Sequence, residues 1–102
     1  MEYIESPLFS KLIGTYLKDE EYAALQWDLA LHPEKGDLIS GSGGLRKIRW
    51  LGKGRGKRGG VRIIYYYKNR EGRIWLLTIY AKNEDENIPL SILNKIKEEL
   101  DL

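Results

Sequence analysis

The stretch Gly43–Lys68, GGLRKIRWLGKGRGKRGGVRIIYYYK, decides how the rest of the chain is read. Within LRKIRWL (45–51) the two-residue side-chain period of a strand puts Arg46, Ile48 and Trp50 on one face and Lys47 and Arg49 on the other. Within VRIIYYY (61–67), Arg62, Ile64 and Tyr66 share one face, and Val61, Ile63, Tyr65 and Tyr67 share the other. Both runs are rich in β-branched and aromatic residues, which predicts two strands. Residues 52–60 between them alternate glycine with Lys or Arg and have nothing apolar to bury. That composition predicts a mobile, basic tip joining two ordered strands.

Charge is segregated around this hairpin. Residues 38–70 hold ten of the seventeen Lys and Arg and none of the fifteen Asp and Glu, so a local +10 stands against −8 elsewhere and the total is only +2. Solubility needs only mixed signs at a surface, and Lys on an edge strand suffices to discourage strand pairing. Thirty-three residues without a carboxylate go beyond either need and point to a partner with closely spaced negative charge, nucleic acid first.

At 102 residues the chain fits one small domain, 1–102, with a single core. Hydrophobic content of 42% and three Trp support a folded protein, and no window approaches the roughly 20 apolar residues of a membrane span. Residues 1–17 lack the basic start and apolar block of a signal peptide. The absence of Cys excludes disulfides and thiolate metal sites. A cytoplasmic protein is the expectation.

Glu2–Glu5 alternates polar and apolar residues and reads as a short strand. Ser6-Pro7 supplies an N-cap and a first-turn proline, and Leu8, Phe9, Leu12, Ile13, Tyr16 and Leu17 then follow the helical period. A second helix starts at Asp19, with Glu20 and Glu21 in its first turn, and ends at His32-Pro33. Its main stripe is Tyr22, Leu25 and Leu29, widened by Trp27, Ala30 and Leu31. Residues 34–44 form a turn-rich connection, and Asn69–Gly72 a tight turn. Arg73–Ala81, RIWLLTIYA, is the most apolar strand and belongs in the interior of a sheet. Pro89–Leu100 is a closing helix, with Leu93, Ile96 and Leu100 inward and Lys95, Lys97, Glu98 and Glu99 outward. The order β-α-α-β-β-β-α predicts an α+β domain, a small, mostly antiparallel sheet packed on the two N-terminal helices.

Gly54–Gly59 matches GxGxxG, but the motif binds dinucleotides only where it opens a helix, and here a strand follows. His32 is the only histidine and sits at a helix end, so paired-histidine chemistry and a serine triad have no support. Glu84, Asp85 and Glu86 read as acidic residues preceding a helix rather than as a magnesium cluster. No metal and no cofactor are expected.

LRKIR (45–49), GKGRGKRGG (52–60), VRIIYY (61–66) and LTIYAKNE (77–84) together resemble the RelE/HigB-type toxins of bacterial toxin-antitoxin pairs, and the basic hairpin followed by LTIYAKNE is most similar to a HigB-like branch. The resemblance implies a RelE-like fold and a ribosome-dependent endoribonuclease (mRNA interferase) that enters the ribosomal A site and cuts messenger RNA, inhibiting translation. It also implies a cognate antitoxin, often with a DNA-binding helix-turn-helix, so that DNA is met only through that partner. Carried over by position, it assigns catalytic roles to Lys47, Arg49, Arg62 and Lys82. RNA binding is expected of Arg46, Lys53, Arg55, Lys57 and Arg58 in the basic stretch, and of Asn83. The chain departs from the best-studied RelE pattern at Asn83, where that pattern has an arginine, and in lacking a tyrosine soon after, near Pro89.

The chemistry implied is attack of a ribose 2′-hydroxyl on the adjacent phosphate, which requires a base, stabilisation of the phosphorane charge and an acid for the leaving oxygen. Arginine, always charged and bidentate, suits the phosphate. Crowding among cations favours the neutral amine, which makes Lys47 or Lys82 the candidate for proton transfer. The rival reading from another class is a noncatalytic RNA- or DNA-binding module using the same surface.

Overall fold

In the computed structural model the described residues are 1–50, 60–69, 71–82, 84 and 87–102. The elements run β1 (Glu2–Glu5), α1 (Pro7–Tyr16), α2 (Asp19–Leu31), β2 (Asp37–Leu38), β3 (Leu45–Trp50), β4 (Val61–Lys68), β5 (Arg73–Ala81) and α3 (Leu90–Glu99). The five strands form one sheet in the order β1-β5-β4-β3-β2. Among the described strands β1 alone runs parallel to its neighbour, β5, and the chain between them, which includes α1 and α2, supplies the long crossover that a parallel pair requires.

Each face of the sheet carries its own apolar layer. On one, Ile48, Val61, Ile63, Tyr65, Ile74, Leu76 and Ile79 pack against Phe9 and Leu17 and against Leu25 and Leu29 of α2. On the other, Leu45, Ile64, Trp75, Leu77 and Tyr80 meet Leu93 and Ile96 of α3. β5 is covered on both faces and lies inside the sheet, as its continuous apolar run predicts, although β4 is the middle strand.

Ser6 joins the helical layer to the sheet. Its Oγ accepts from the Phe9 N–H at 2.9 Å, capping α1, and donates to the Leu77 carbonyl at 2.6 Å, while its own N–H donates to the Leu76 carbonyl. In α2 the Glu21 carboxylate accepts from the Lys18 N–H at 3.0 Å, holding the helix start.

Three expectations are corrected. The 34–44 connection contains β2, paired to β3 through Asp37 opposite Lys47 and Leu38 opposite Arg46. Two residues carry too little periodicity to announce a strand. Trp27 and Leu31 do not widen the buried stripe of α2: they are 68% and 58% exposed, because the sheet takes only the Leu25–Leu29 side. Lys97 is half-buried rather than outward, since its Nζ donates to the Ser42 carbonyl at 2.8 Å and ties α3 to the turn before β3. The basic tip at 52–59 lies outside the described residues.

Candidate functional site

The ladder between β3 and β4 decides which cations meet. Its register pairs Lys47 with Ile64, Ile48 with Ile63, Arg49 with Arg62 and Trp50 with Val61. Directly paired residues share a face, so Lys47, Arg49 and Arg62 stand together on the α3 side of the sheet. Arg49 and Arg62 are direct cross-strand partners, an arrangement in which like charges cost stability. Lys47 lies one two-residue step from Arg49, about 7 Å along the strand. Helix α3 covers the other end of this face through Leu93 and Ile96, and Arg49 is exposed.

β5 completes the surface by means of a bulge. Tyr65 pairs with Leu76 but Ile64 pairs with Thr78, so Leu77 is an extra residue. Before the bulge, even-numbered Ile74 and Leu76 point to α1 and α2; after it, even-numbered Tyr80 points the opposite way and becomes the register partner of Arg62. Bulges re-aim side chains in this way by shifting the pleat by one residue. Lys82 follows two residues beyond Tyr80 in an exposed turn, at the same end of the sheet as Arg62.

Two anchors hold the segment leaving β5. Glu84 accepts from the Tyr16 hydroxyl at 2.5 Å and from the Ala81 N–H at 2.9 Å. Those bonds lower the Glu84 carboxyl below its ordinary range, and the carboxylate, aided by some burial, pushes the Tyr16 hydroxyl up to about 12. Farther on, Asn87 Oδ1 accepts from Lys47 Nζ at 3.1 Å, so the ammonium is aimed by a neutral group. Among the described residues no carboxylate lies within ion-pairing distance of Lys47 or Arg49. Lys47 and Arg49 are therefore placed to meet an external anion.

Arg46 stands apart. It lies on the α1/α2 face opposite Tyr65, and its guanidinium donates to the carbonyls of Glu34 at 3.0 Å and Gly36 at 2.8 Å. The Tyr65 hydroxyl donates to the Pro33 carbonyl and accepts from the Gly36 N–H, both at 2.9 Å. Together the two side chains clamp the loop that leads into β2. A Cβ on Gly36 would sit 2.8 Å from the Tyr65 ring, so the clamp requires glycine there.

Of the residues singled out from the sequence, the structure gathers Lys47, Arg49 and Arg62 on one face, puts Lys82 near their end of the sheet and sends Arg46 to the other face. Lys53, Arg55, Lys57, Arg58 and Asn83 lie outside the described residues, as do Asp85 and Glu86. Sequence reasoning missed Tyr80 and Asn87. An uninterrupted apolar strand gives no sign of a bulge, and one Asn in a polar segment resembles any other. Among the described residues no helix is long and apolar enough to cross a membrane.

No family model matches the chain. The fold is RelE-like. The free-state structure of the E. coli toxin RelE, in a variant with two arginines replaced by alanine, superposes with a TM-score of 0.61 over 99% of this chain and 97% of that one. The two sequences are 11% identical, so the likeness speaks to the fold.

Proposed function

We propose that the chain is the toxin of a toxin-antitoxin pair, of the HigB-like branch, and that it cuts messenger RNA in the ribosomal A site. The observation that carries the reading is the placement of Lys47, Arg49 and Arg62 together on one face of a RelE-like sheet.

Two strand-mounted guanidiniums side by side suit a phosphate whose charge grows as it becomes five-coordinate. Arg49 and Arg62 take that role. The 2′-oxygen bonds to phosphorus as its proton passes to a base, the P–O5′ bond breaks, and an acid protonates the departing 5′-oxygen. The products are a 2′,3′-cyclic phosphate and a 5′-hydroxyl. Lys47, aimed by Asn87, and Lys82, beyond Tyr80, are the side chains proposed to move those protons. The ribosome supplies the remaining element by holding the RNA in line for attack. Lys53, Arg55, Lys57 and Arg58 are assigned to electrostatic docking on ribosomal RNA, an effect that weakens as salt rises. Action is cytoplasmic, and a cognate antitoxin with a DNA-binding helix-turn-helix is the proposed partner.

The test uses purified protein and ribosomes programmed with a defined message. Cleavage within the A-site codon is expected, with the same message uncut when free. Arg62→Ala at saturating protein should lose on the order of 10²–10³ in rate, the cost of removing one donor to a developing anion. Binding to ribosomes without cleavage would favour the noncatalytic module instead.

A further inference from the structure

The turn that leaves β5 sets a carboxylate two residues from a lysine. Lys82 and Glu84 are both exposed, and opposite charges so close in the chain attract one another unless something holds them apart. Here they stay apart: among the described residues no carboxylate lies within ion-pairing distance of Lys82. Glu84 instead commits one oxygen, Oε1, to two donors, the Tyr16 hydroxyl at 2.5 Å and the Ala81 N–H at 2.9 Å.

Tyr16 is the last residue of α1, and its half-buried ring packs against the core on the α1/α2 face of the sheet. Lys47, Arg49 and Arg62 occupy the opposite face. The hydroxyl therefore draws the carboxylate toward the helical layer and away from the cations. Tyr16 is not needed to shape the turn. The Glu84 N–H donates to the Ala81 carbonyl at 3.0 Å, so the backbone carrying Lys82 closes through bonds of its own. What Tyr16 adds is a fixed place for the negative charge.

We infer that Tyr16 is a positioning residue that holds the Glu84 carboxylate off Lys82 and keeps that ammonium available to RNA. The inference rests on the reading of Lys82 as a group that meets the RNA and names what keeps it unpaired. A hydroxyl donating to a carboxylate is among the stronger hydrogen bonds, and it suits this task. Glu84 is lowered and Tyr16 raised by their contact, so acceptor and donor keep these states through the neutral range.

The test compares wild type, Tyr16→Phe and the double variant Tyr16→Phe/Glu84→Gln on programmed ribosomes at saturating protein, with urea unfolding of the same proteins. Tyr16→Phe should cleave about two- to fivefold more slowly, the upper reach of a surface ion pair formed by the released carboxylate. Adding Glu84→Gln should return most of that rate, because the amide carries no charge, while stability does not recover. A bond that only braces the fold predicts that rate follows stability. A double variant as slow as Tyr16→Phe would therefore overturn the inference, and so would an unchanged rate in Tyr16→Phe.

A second readout needs no catalysis. A trinucleotide with 2′-deoxy sugars lacks the attacking oxygen; followed by NMR at the lysine side chains, it should shift the Lys82 signal in wild type and in the double variant and clearly less in Tyr16→Phe. Equal Lys82 shifts in all three proteins would overturn the inference. Lys82→Gln separates this failure from failure of the reading beneath it. A wild-type cleavage rate in Lys82→Gln removes Lys82 from the reaction, and the inference with it. A slow Lys82→Gln beside a double variant that is not rescued removes the inference and keeps the reading.

Discussion

The hydroxyl of Ser6 donates to the carbonyl of Leu77 at 2.6 Å, and Leu77 is the extra residue that turns Tyr80 toward Arg62. One buried side chain therefore caps α1 and pins the bulge on which the cation face depends. Ser6→Ala should destabilise the fold by about 2–4 kcal/mol, combining a lost cap of about 1 with an orphaned buried carbonyl of about 1–3. Urea unfolding should show a lower midpoint at an unchanged slope. A loss under about 0.5 kcal/mol would mean that the bulge holds itself.

Arg49 and Arg62 face each other across the ladder at some expense to the fold. Arg49→Thr should raise stability by about 0.2–1 kcal/mol, more at low salt than at high, while cleavage on programmed ribosomes falls. Thermal unfolding at two ionic strengths checks the first half. A stability loss would contradict the view that these cations are kept for a ligand.

Arg46 should behave in the opposite sense. Its two bonds to the Glu34 and Gly36 carbonyls predict that Arg46→Ala costs about 1.5–3 kcal/mol and leaves the saturating cleavage rate near wild type. A selective fall in rate would instead give Arg46 a place on the RNA.

The Tyr16–Glu84 bond sets a pH window. Glu84 is lowered from 4.5, so its contribution is present above that value and lost as pH falls through its own lower titration. Tyr16 is raised from 10.0 to about 12, so its contribution is complete below pH 10 and lost as pH rises through about 12. The stability gap between wild type and Tyr16→Phe should therefore be flat from about pH 5 to pH 10 and shrink on both sides. A gap of constant size from pH 3 to pH 12 would show that the bond contributes nothing. The same substitution should slow cleavage if the segment carrying Lys82 needs this anchor.

Much of this arrangement is legible in the residues. Alternation alone put Lys47 and Arg49 on the face opposite Arg46 and grouped Arg62 with Ile64 and Tyr66, and the ladder agrees. Ser6-Pro7 marked the start of α1 because both residues act locally. What escaped depends on contacts between distant segments. Asn87 meets Lys47 forty residues away, Tyr80 reaches its face through a bulge hidden in a wholly apolar strand, and Arg46 is diverted by a loop that only the fold brings near. For α2 the pattern misled, since Trp27 and Leu31 are apolar at helical spacing yet face away from the sheet.

The central claim is cleavage of translated messenger RNA, and mapping of message 5′ ends in cells after induction tests it most directly. Wild-type protein should generate new 5′-hydroxyl ends inside translated codons, and Arg62→Ala expressed to the same level should generate none. Growth arrest with no new ends in translated codons, or ends spread equally over untranslated regions, would contradict the account.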